Sequence, residues 1–400
     1  MNDFRIKPMR PLDGITVLAF EHAVAAPVCT RHLADLGARV IKIERPGVGD
    51  FARGYDQRAG GLSSYFAWAN RSKESFTLDV KHPDAQPILA KLVAQCDIVV
   101  QNLAPGAAAR LGLSIEALRP QYPRIIVCDI SGYGADGPYR DKKAYDLMVQ
   151  AEAGLLAVTG TPESMARAGF SAADTAAGMY AYSSILAALL LRERTGEGSH
   201  IDVAMFEALA EWMGNPLYYT YGGQAPAPRT GPFHPSVVPY GPFPVGDGKT
   251  VMMGLQNERE WLVFCREVLH DAALAEDPRF ASNTLRTENR LALEQIIVAA
   301  FSTLSADQVE ARLDQAKLAT ARVNTPADLW THPQLQARQR WTQVPSPVGS
   351  LAALLPPGRN DRYAPRMDAI PALGQHTDSI LAELGYAAVD IAGLRTAKAI

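Results

Sequence analysis

Residues 15–20 (ITVLAF) form a short apolar run between polar positions, the mark of a buried strand. Helical spacing follows over residues 27–36 and stops at Gly37, where a helix-ending glycine belongs. Residues 39–44 (RVIKIE) read as a second strand. The opening is therefore β-α-β, which implies parallel strands joined by a right-handed crossover. The pattern recurs: residues 75–80 are extended, 83–95 helical, and 97–101 (DIVVQ) and 125–130 (IIVCDI) strand-like. This predicts one α/β domain, Rossmann-like and doubly wound. Residues 171–194 carry Ala, Leu and Tyr at helical spacing and end at a TGEG stop, before an extended stretch at 200–205. Their densest apolar part, residues 180–191, is broken by serines and too short to cross a bilayer. Residues 218–243 are rich in Gly, Pro and Tyr and read as a linker. Strands at 244–245 and 250–254 flank an Asp247–Gly248 turn, and helices follow near 258–269, 291–303 and 306–316. The expected division is a large domain from residues 1–217 and 345–400, a smaller α/β domain at 244–325, and a return linker at 326–344.

The chain has 400 residues, which fits two domains at ~100–200 residues each. Lys and Arg number 39 and Asp and Glu 42, so the net charge is 39 − 42 = −3. That balance argues against a nucleic-acid or membrane-surface binder, which needs a basic excess. An anionic ligand must be met by a few placed cations. The four cysteines, Cys29, Cys96, Cys128 and Cys265, are scattered without a C-x-x-C pair, so they predict neither a disulfide framework nor a zinc site. No His pair or H-E-x-x-H suggests a metal. The opening residues 1–11 are polar and basic, not an export signal, and a cytoplasmic protein is expected.

Several familiar motifs fail. The turn after the first strand, Glu21 to Pro27, holds no glycine for a pyrophosphate to approach, which argues against a nicotinamide enzyme although the second strand ends in Glu44. Gly47-Val48-Gly49-Asp50-Phe51-Ala52 matches G-x-G-x-x-A but follows the wrong strand and runs into loop. Gly248-Lys249-Thr250 lacks the first glycine of a phosphate loop and suits a hairpin turn better. There is no G-x-S-x-G elbow.

Other strings share an order. They are Pro11-Leu12-Asp13-Gly14, Leu36-Gly37-Ala38-Arg39-Val40-Ile41-Lys42-Ile43-Glu44, Gly47-Val48-Gly49-Asp50, Asn70-Arg71-Ser72-Lys73, Leu78-Asp79-Val80-Lys81, Asn102-Leu103-Ala104-Pro105-Gly106, Ile130-Ser131-Gly132-Tyr133-Gly134 and Tyr145-Asp146. The tightest are Ala173-Asp174-Thr175-Ala176-Ala177-Gly178 and Arg194-Thr195-Gly196-Glu197-Gly198. Together the chain resembles the class III CoA-transferases, the family of formyl-CoA and carnitine CoA-transferases. It is closest in feel to those acting on C5 dicarboxylates such as mesaconate, itaconate and citramalate.

The resemblance implies that Asp174 is the nucleophile, passing through an aspartyl anhydride and an aspartyl-CoA thioester. Asp174 is expected just before a helix beginning near Thr175, where free N–H groups favour an anion; as a residue alone it reads first as an N-cap, and the surrounding string reverses that preference. By resemblance CoA is a substrate, with no tightly bound cofactor, and meets Val24, Ala25, Arg45, Leu78, Lys81, Asn102, Leu103, Ala104, Arg110, Lys143, Tyr145, Asp146 and Met205. Taken singly, the basic residues among these read as surface charge. His22, Arg167, Arg229 and His234 are candidates for the acid acceptor. Two departures stand out: Val24 replaces a glutamine of formyl-CoA transferase, and residues 231–236 lack its glycine-rich loop.

The α-methylacyl-CoA racemases look similar across the N-terminal part, but place a histidine where Tyr145 stands, and a phenol is a poor base near neutral pH. A non-catalytic acyl-CoA-binding protein is a third reading. Succinyl-CoA as donor, a branched C5 diacid as acceptor and an interlocked homodimer are what the resemblance implies.

Overall fold

The computed structural model describes residues 9–400; the start of the polar opening segment, residues 1–8, lies outside the described residues. The chain divides into two compact units. The first runs up to Gly154 and includes Ala168–Gly214 and Arg338–Ile400. The second comprises Leu155–Arg167 and Asn215–Ala337, so residues 155–167, expected in the large domain, belong instead to the smaller unit.

In the first unit a six-stranded sheet contains β1 (Thr16–Phe20), β2 (Arg39–Glu44), β3 (Lys73–Thr77), β4 (Ile98–Gln101), β5 (Ile126–Ser131) and β6 (His200–Ala204). All pairings are parallel and the order is β3-β2-β1-β4-β5-β6. This is the doubly wound order, and its switch point lies between β1 and β4. Both central strands are covered on two faces, which explains their unbroken apolar runs. Helix α1 (Ala25–Asp35) makes the first crossover, and Gly37 ends it with φ +110°, as expected. Helix α2 (Ala85–Val93) makes the next.

Helices α3 (Asp146–Glu152), α4 (Ala172–Thr195) and α5 (Met205–Trp212) follow β5 and flank β6. Helix α4 is 24 residues, long and apolar enough to cross a bilayer, which corrects the shorter reading. It packs as a core helix through Ala176, Ala177, Gly178, Ala181, Ile185 and Leu189 against α1, α5, β5 and β6. Gly178 is required there, because a Cβ would stand 2.6 Å from the Ala25 carbonyl oxygen.

The second unit has an antiparallel sheet of β7 (Tyr240–Pro244), β8 (Thr250–Gly254) and β9 (Ala319–Arg322), with the expected turn at Gly248. Helices α6 (Arg290–Phe301) and α7 (Ala306–Gln315) pack on it around Trp261, Phe264, Phe280 and Phe301.

The returning segment covers the outer edge of β3. Ser72 donates to the Ala369 carbonyl, His376 to the Ser75 carbonyl, and the Thr77 amide to the Thr377 hydroxyl. An edge strand left open would invite pairing with other chains. Helices α8 (Thr377–Glu383) and α9 (Ala388–Thr396) complete the unit.

Beneath the strand ends lies a buried ionic cluster. Lys42 Nζ sits 2.8 Å from Asp50 Oδ2 and 3.2 Å from Glu21 Oε1, and Lys73 Nζ 2.6 Å from the same Glu21 oxygen. None of these side chains meets solvent. Burial alone would raise the Glu21 pKa, but Lys42 and Lys73 outweigh it and hold it low. Glu44 is buried too, yet Arg53, Lys42 and Ser75 bring its pKa to about 2, from 4.5.

Removing one member strands its partners in low dielectric, so Lys42→Met should cost about 3–5 kcal/mol of stability in denaturant melts at neutral pH. Glu44 has a folded pKa below its unfolded value, so its contribution is full above pH 4.5 and fades as pH falls toward 2. Glu44→Gln should flatten the acid limb of the stability profile by about 2 kcal/mol, read from melts at pH 7 and pH 3.

Candidate active site

The loop leaving β1 is built on the ionic cluster. Asp50 Oδ1 accepts the Ala23 amide at 3.1 Å and the Ala52 amide at 2.9 Å. Ala23 has φ +62°, a conformation uncommon for a residue with a Cβ. The Asn102 side chain clamps the His22 backbone, donating to its carbonyl and accepting its amide, both at 2.9 Å. His22 stacks on Phe51 at 5.3 Å, Phe51 meets Tyr55, and Tyr55 meets Tyr65 edge-on. The His22 Nδ1 atom is buried and has no hydrogen-bond partner.

Outside this loop a cleft of about 1230 Å³ opens at the C-terminal ends of β1 to β4, where ligands of doubly wound sheets bind. Its lining includes Phe20, His22, Arg45, Leu78, Lys81, Leu103, Ala104 and Arg110. Every one except Phe20 is a residue the sequence nominated. Arg395, Lys398 and Ile400 also line it, and sequence reasoning missed them. The facing acids are Glu44, already paired with Arg53, and Asp79. Among the described residues, Arg45, Lys81, Arg110 and Lys398 have no ion-pair partner. Four such cations around one cleft suit a ligand with several negative charges.

Asp174 is the third residue of α4, inside its first turn, not before it and not its N-cap; Ser171 holds that position. The helix N-terminus does not serve Asp174. Asp146 Oδ1 takes the Ala173 amide at 2.8 Å and the Asp174 amide at 3.2 Å, and Gln150 Nε2 holds Asp146 Oδ2 at 2.6 Å. Burial first, and then the Asp146 charge, raise the Asp174 pKa to about 7 from 3.8. This reverses the expectation of an anion favoured by the helix. Asp174 stands one turn before Gly178, whose backbone abuts Ala25, so it shares the face of α4 that meets the start of α1. The Tyr55 hydroxyl is raised to about 12 by burial, then by Asp50 and Asp174. A row of rings therefore leads from the cleft at His22 to the neighbourhood of Asp174.

Other nominated residues sit elsewhere. Val24 and Ala25 are core, with Val24 packed on Val28 and Ala69. Asn102 is a clamp on His22, not part of the cleft lining. Lys143 is exposed on the loop before α3 and does not line the cleft; Tyr145 is exposed, and Met205 is buried at the start of α5. Arg167, Arg229 and His234 belong to the second unit. Arg229 donates to the carbonyls of Thr161 and Pro162, at 2.8 and 2.9 Å. His234 stacks on Tyr240, and its Nδ1 accepts the Ser236 and Val237 amides. Both act as local braces, and neither lines the cleft.

The family model for CoA-transferase family III matches residues 12–377. The chain belongs to this family. It is 34% identical to succinyl-CoA:glutarate CoA-transferase of Mus musculus, covering 94% of this chain and 87% of that one. It is 32% identical to succinyl-CoA–D-citramalate CoA-transferase of Chloroflexus aurantiacus, over 98% and 99%. The crystal structure of a CaiB/BaiF family protein from Brucella suis superposes with a TM-score of 0.84 at 33% identity, over 94% of this chain and 99% of that one. This CoA-transferase thus works with acyl-CoA donors and carboxylate acceptors, as the sequence resemblance implied.

Asp174 has a folded pKa above its unfolded value, so its ionisation destabilises the fold as pH rises from about 4 through 7. Asp174→Asn should therefore stabilise the protein by about 2–4 kcal/mol at pH 8, and by little at pH 4, in parallel denaturant melts.

Proposed function

We propose that this CoA-transferase moves CoA from succinyl-CoA to a C5 dicarboxylic acid, with Asp174 as the nucleophile. The observation that carries the reading is the Asp174 carboxyl itself. It is set at the face of α4 that meets the β1 loop, it lacks an ion-pair partner among the described residues, and its pKa is raised to about 7. A carboxylate of higher pKa and poorer solvation is a stronger nucleophile than an ordinary surface aspartate.

The steps follow from that group. An Asp174 oxygen attacks the thioester carbonyl, and the C–S bond breaks to give a mixed anhydride and CoA thiolate. The thiolate attacks the aspartyl carbonyl, releasing succinate and leaving an Asp174–CoA thioester. The acceptor carboxylate attacks that thioester and frees the thiolate, and the thiolate then takes the acceptor acyl group from the new anhydride. Asp174 returns as a carboxylate. The unpaired cations of the cleft suit the phosphates of CoA throughout. The substrate pair is supported by relatives whose names specify glutarate, D-citramalate and mesaconate, each with succinyl-CoA.

An interlocked homodimer is part of the proposal. The apolar side chains exposed on α4 and α5, Met179, Leu190, Leu191 and Trp212, support a covered face there. Elution at the 43.2 kDa monomer mass would contradict it.

Assays of succinyl-CoA with glutarate, mesaconate, itaconate and citramalate should give turnover with at least one acid. No turnover with any would reject the substrate reading. Asp174→Ala should abolish transfer, and hydroxylamine trapping with mass spectrometry should place the adduct on Asp174. The free-enzyme rate kcat/KM should rise with pH through about 7 as Asp174 ionises. A profile flat from pH 5 to 9 would remove Asp174 from the role.

A further inference from the structure

We propose that Lys398, with Arg395 beside it, holds the 3′-phosphate at the nucleotide end of the bound CoA thioester. This assignment rests on the cleft being the CoA site.

The direction of the ligand follows from the sheet. Asp174 opens α4, which packs on β5 and β6. The cleft lining runs the other way: Leu103 to Leu111 after β4, His22 after β1, Arg45 to Gly47 after β2, and Leu78 to Lys81 after β3. From β5 to β3 is four strand spacings, about 19 Å. A thioester held at Asp174 therefore sends its long arm across the strand ends and its nucleotide toward the β3 edge. The outermost charge of that nucleotide is the 3′-phosphate.

At that edge stands the end of the described chain. The Asp79 amide donates to the Ala399 carbonyl at 2.8 Å, tying it to the loop that carries Lys81. Arg395 pairs with Asp378, which fixes α9 to α8. Lys398 follows α9 and has no ion-pair partner among the described residues. A compact ammonium on a fixed backbone, beside a guanidinium, is a good receptor for a phosphate monoester.

Lys398 also offers a clean variant. It has φ +61°, closing α9 through a Lys398 amide to Arg395 carbonyl bond and an Ala399 amide to Leu394 carbonyl bond. Lys317 closes α7 in the same way without facing the cleft, so the conformation is a helix-end feature and not itself a ligand signal. It does mean that glycine fits the position at no backbone cost. Lys398→Gly removes the ammonium and keeps the turn.

The test is titration calorimetry of wild type and Lys398→Gly with CoA and with dephospho-CoA, which lacks only the 3′-phosphate. The variant should melt no lower than wild type. Its affinity for CoA should fall about five- to tenfold, while its affinity for dephospho-CoA stays at the wild-type value. Equal losses for both ligands, or no loss for CoA, would overturn the assignment. A wild type that binds no CoA would overturn both the assignment and the reading of the cleft. Selective loss of CoA affinity in an enzyme inactive on every diacid tested would reject the substrate pair and leave the assignment standing.

Discussion

Glu21, Lys42, Asp50 and Lys73 are the constraint on which the site depends. Charged groups so buried survive only where each finds its counter-charge and its hydrogen bonds. Lys42 comes from the interior of β2, Lys73 from the first position of β3, and Glu21 from the residue after β1. Asp50 must then reach inward from the loop after β2, and its second oxygen is left to bind the Ala23 and Ala52 amides. One requirement, charge balance in a dry interior, thus fixes the β1 loop, the Phe51 turn and the wall of the cleft together. The cluster extends through Glu44 and Ser75 to the returning chain, because Ser75 Oγ donates to Glu44 and accepts the Gly374 amide.

Charge in this protein is sorted by place, and the net value of −3 hides that sorting. Inside the sheet, cations and anions are matched. In the cleft, Arg45, Lys81, Arg110 and Lys398 stand unmatched among the described residues. At the start of α4, two carboxylates, Asp146 and Asp174, stand together. Asp146 has the helix N–H groups and Gln150, so Asp174 carries the whole cost of the arrangement. The unfavourable group is the one the chemistry needs.

The parallel sheet was legible because β1, β2 and β4 are buried on both faces and punctuated by Gly37 and loop residues. The cleft was legible in part, since Arg45, Lys81 and Arg110 follow strand ends. Arg395 and Lys398 were not, because their place depends on a return of the chain to β3 across some 300 residues. Lys143 stands outside the cleft lining; local sequence does not say which way an exposed loop residue faces. Arg229 and His234 looked free by residue type, and only the carbonyls and amides around them show that they are braces. The position of Asp174 shifted by a single turn of logic: a cap signal was read at the acid, while the capping oxygen comes from Asp146, 28 residues earlier.

The placement of cations far from the strained acid is coherent as energetics. Ionising Asp174 at neutral pH costs the free protein stability, and no cation among the described residues relieves it. A cation at its side would lower the cost and also lower its nucleophilicity. Binding energy gathered at the nucleotide end does neither. Contacts with a part of the substrate that does not react can hold the thioester against a poorly solvated carboxylate without softening that carboxylate. The long cleft along β1 to β4 gives the two functions the separation this requires. It lets the sheet that buries matched charges present unmatched ones at its two ends.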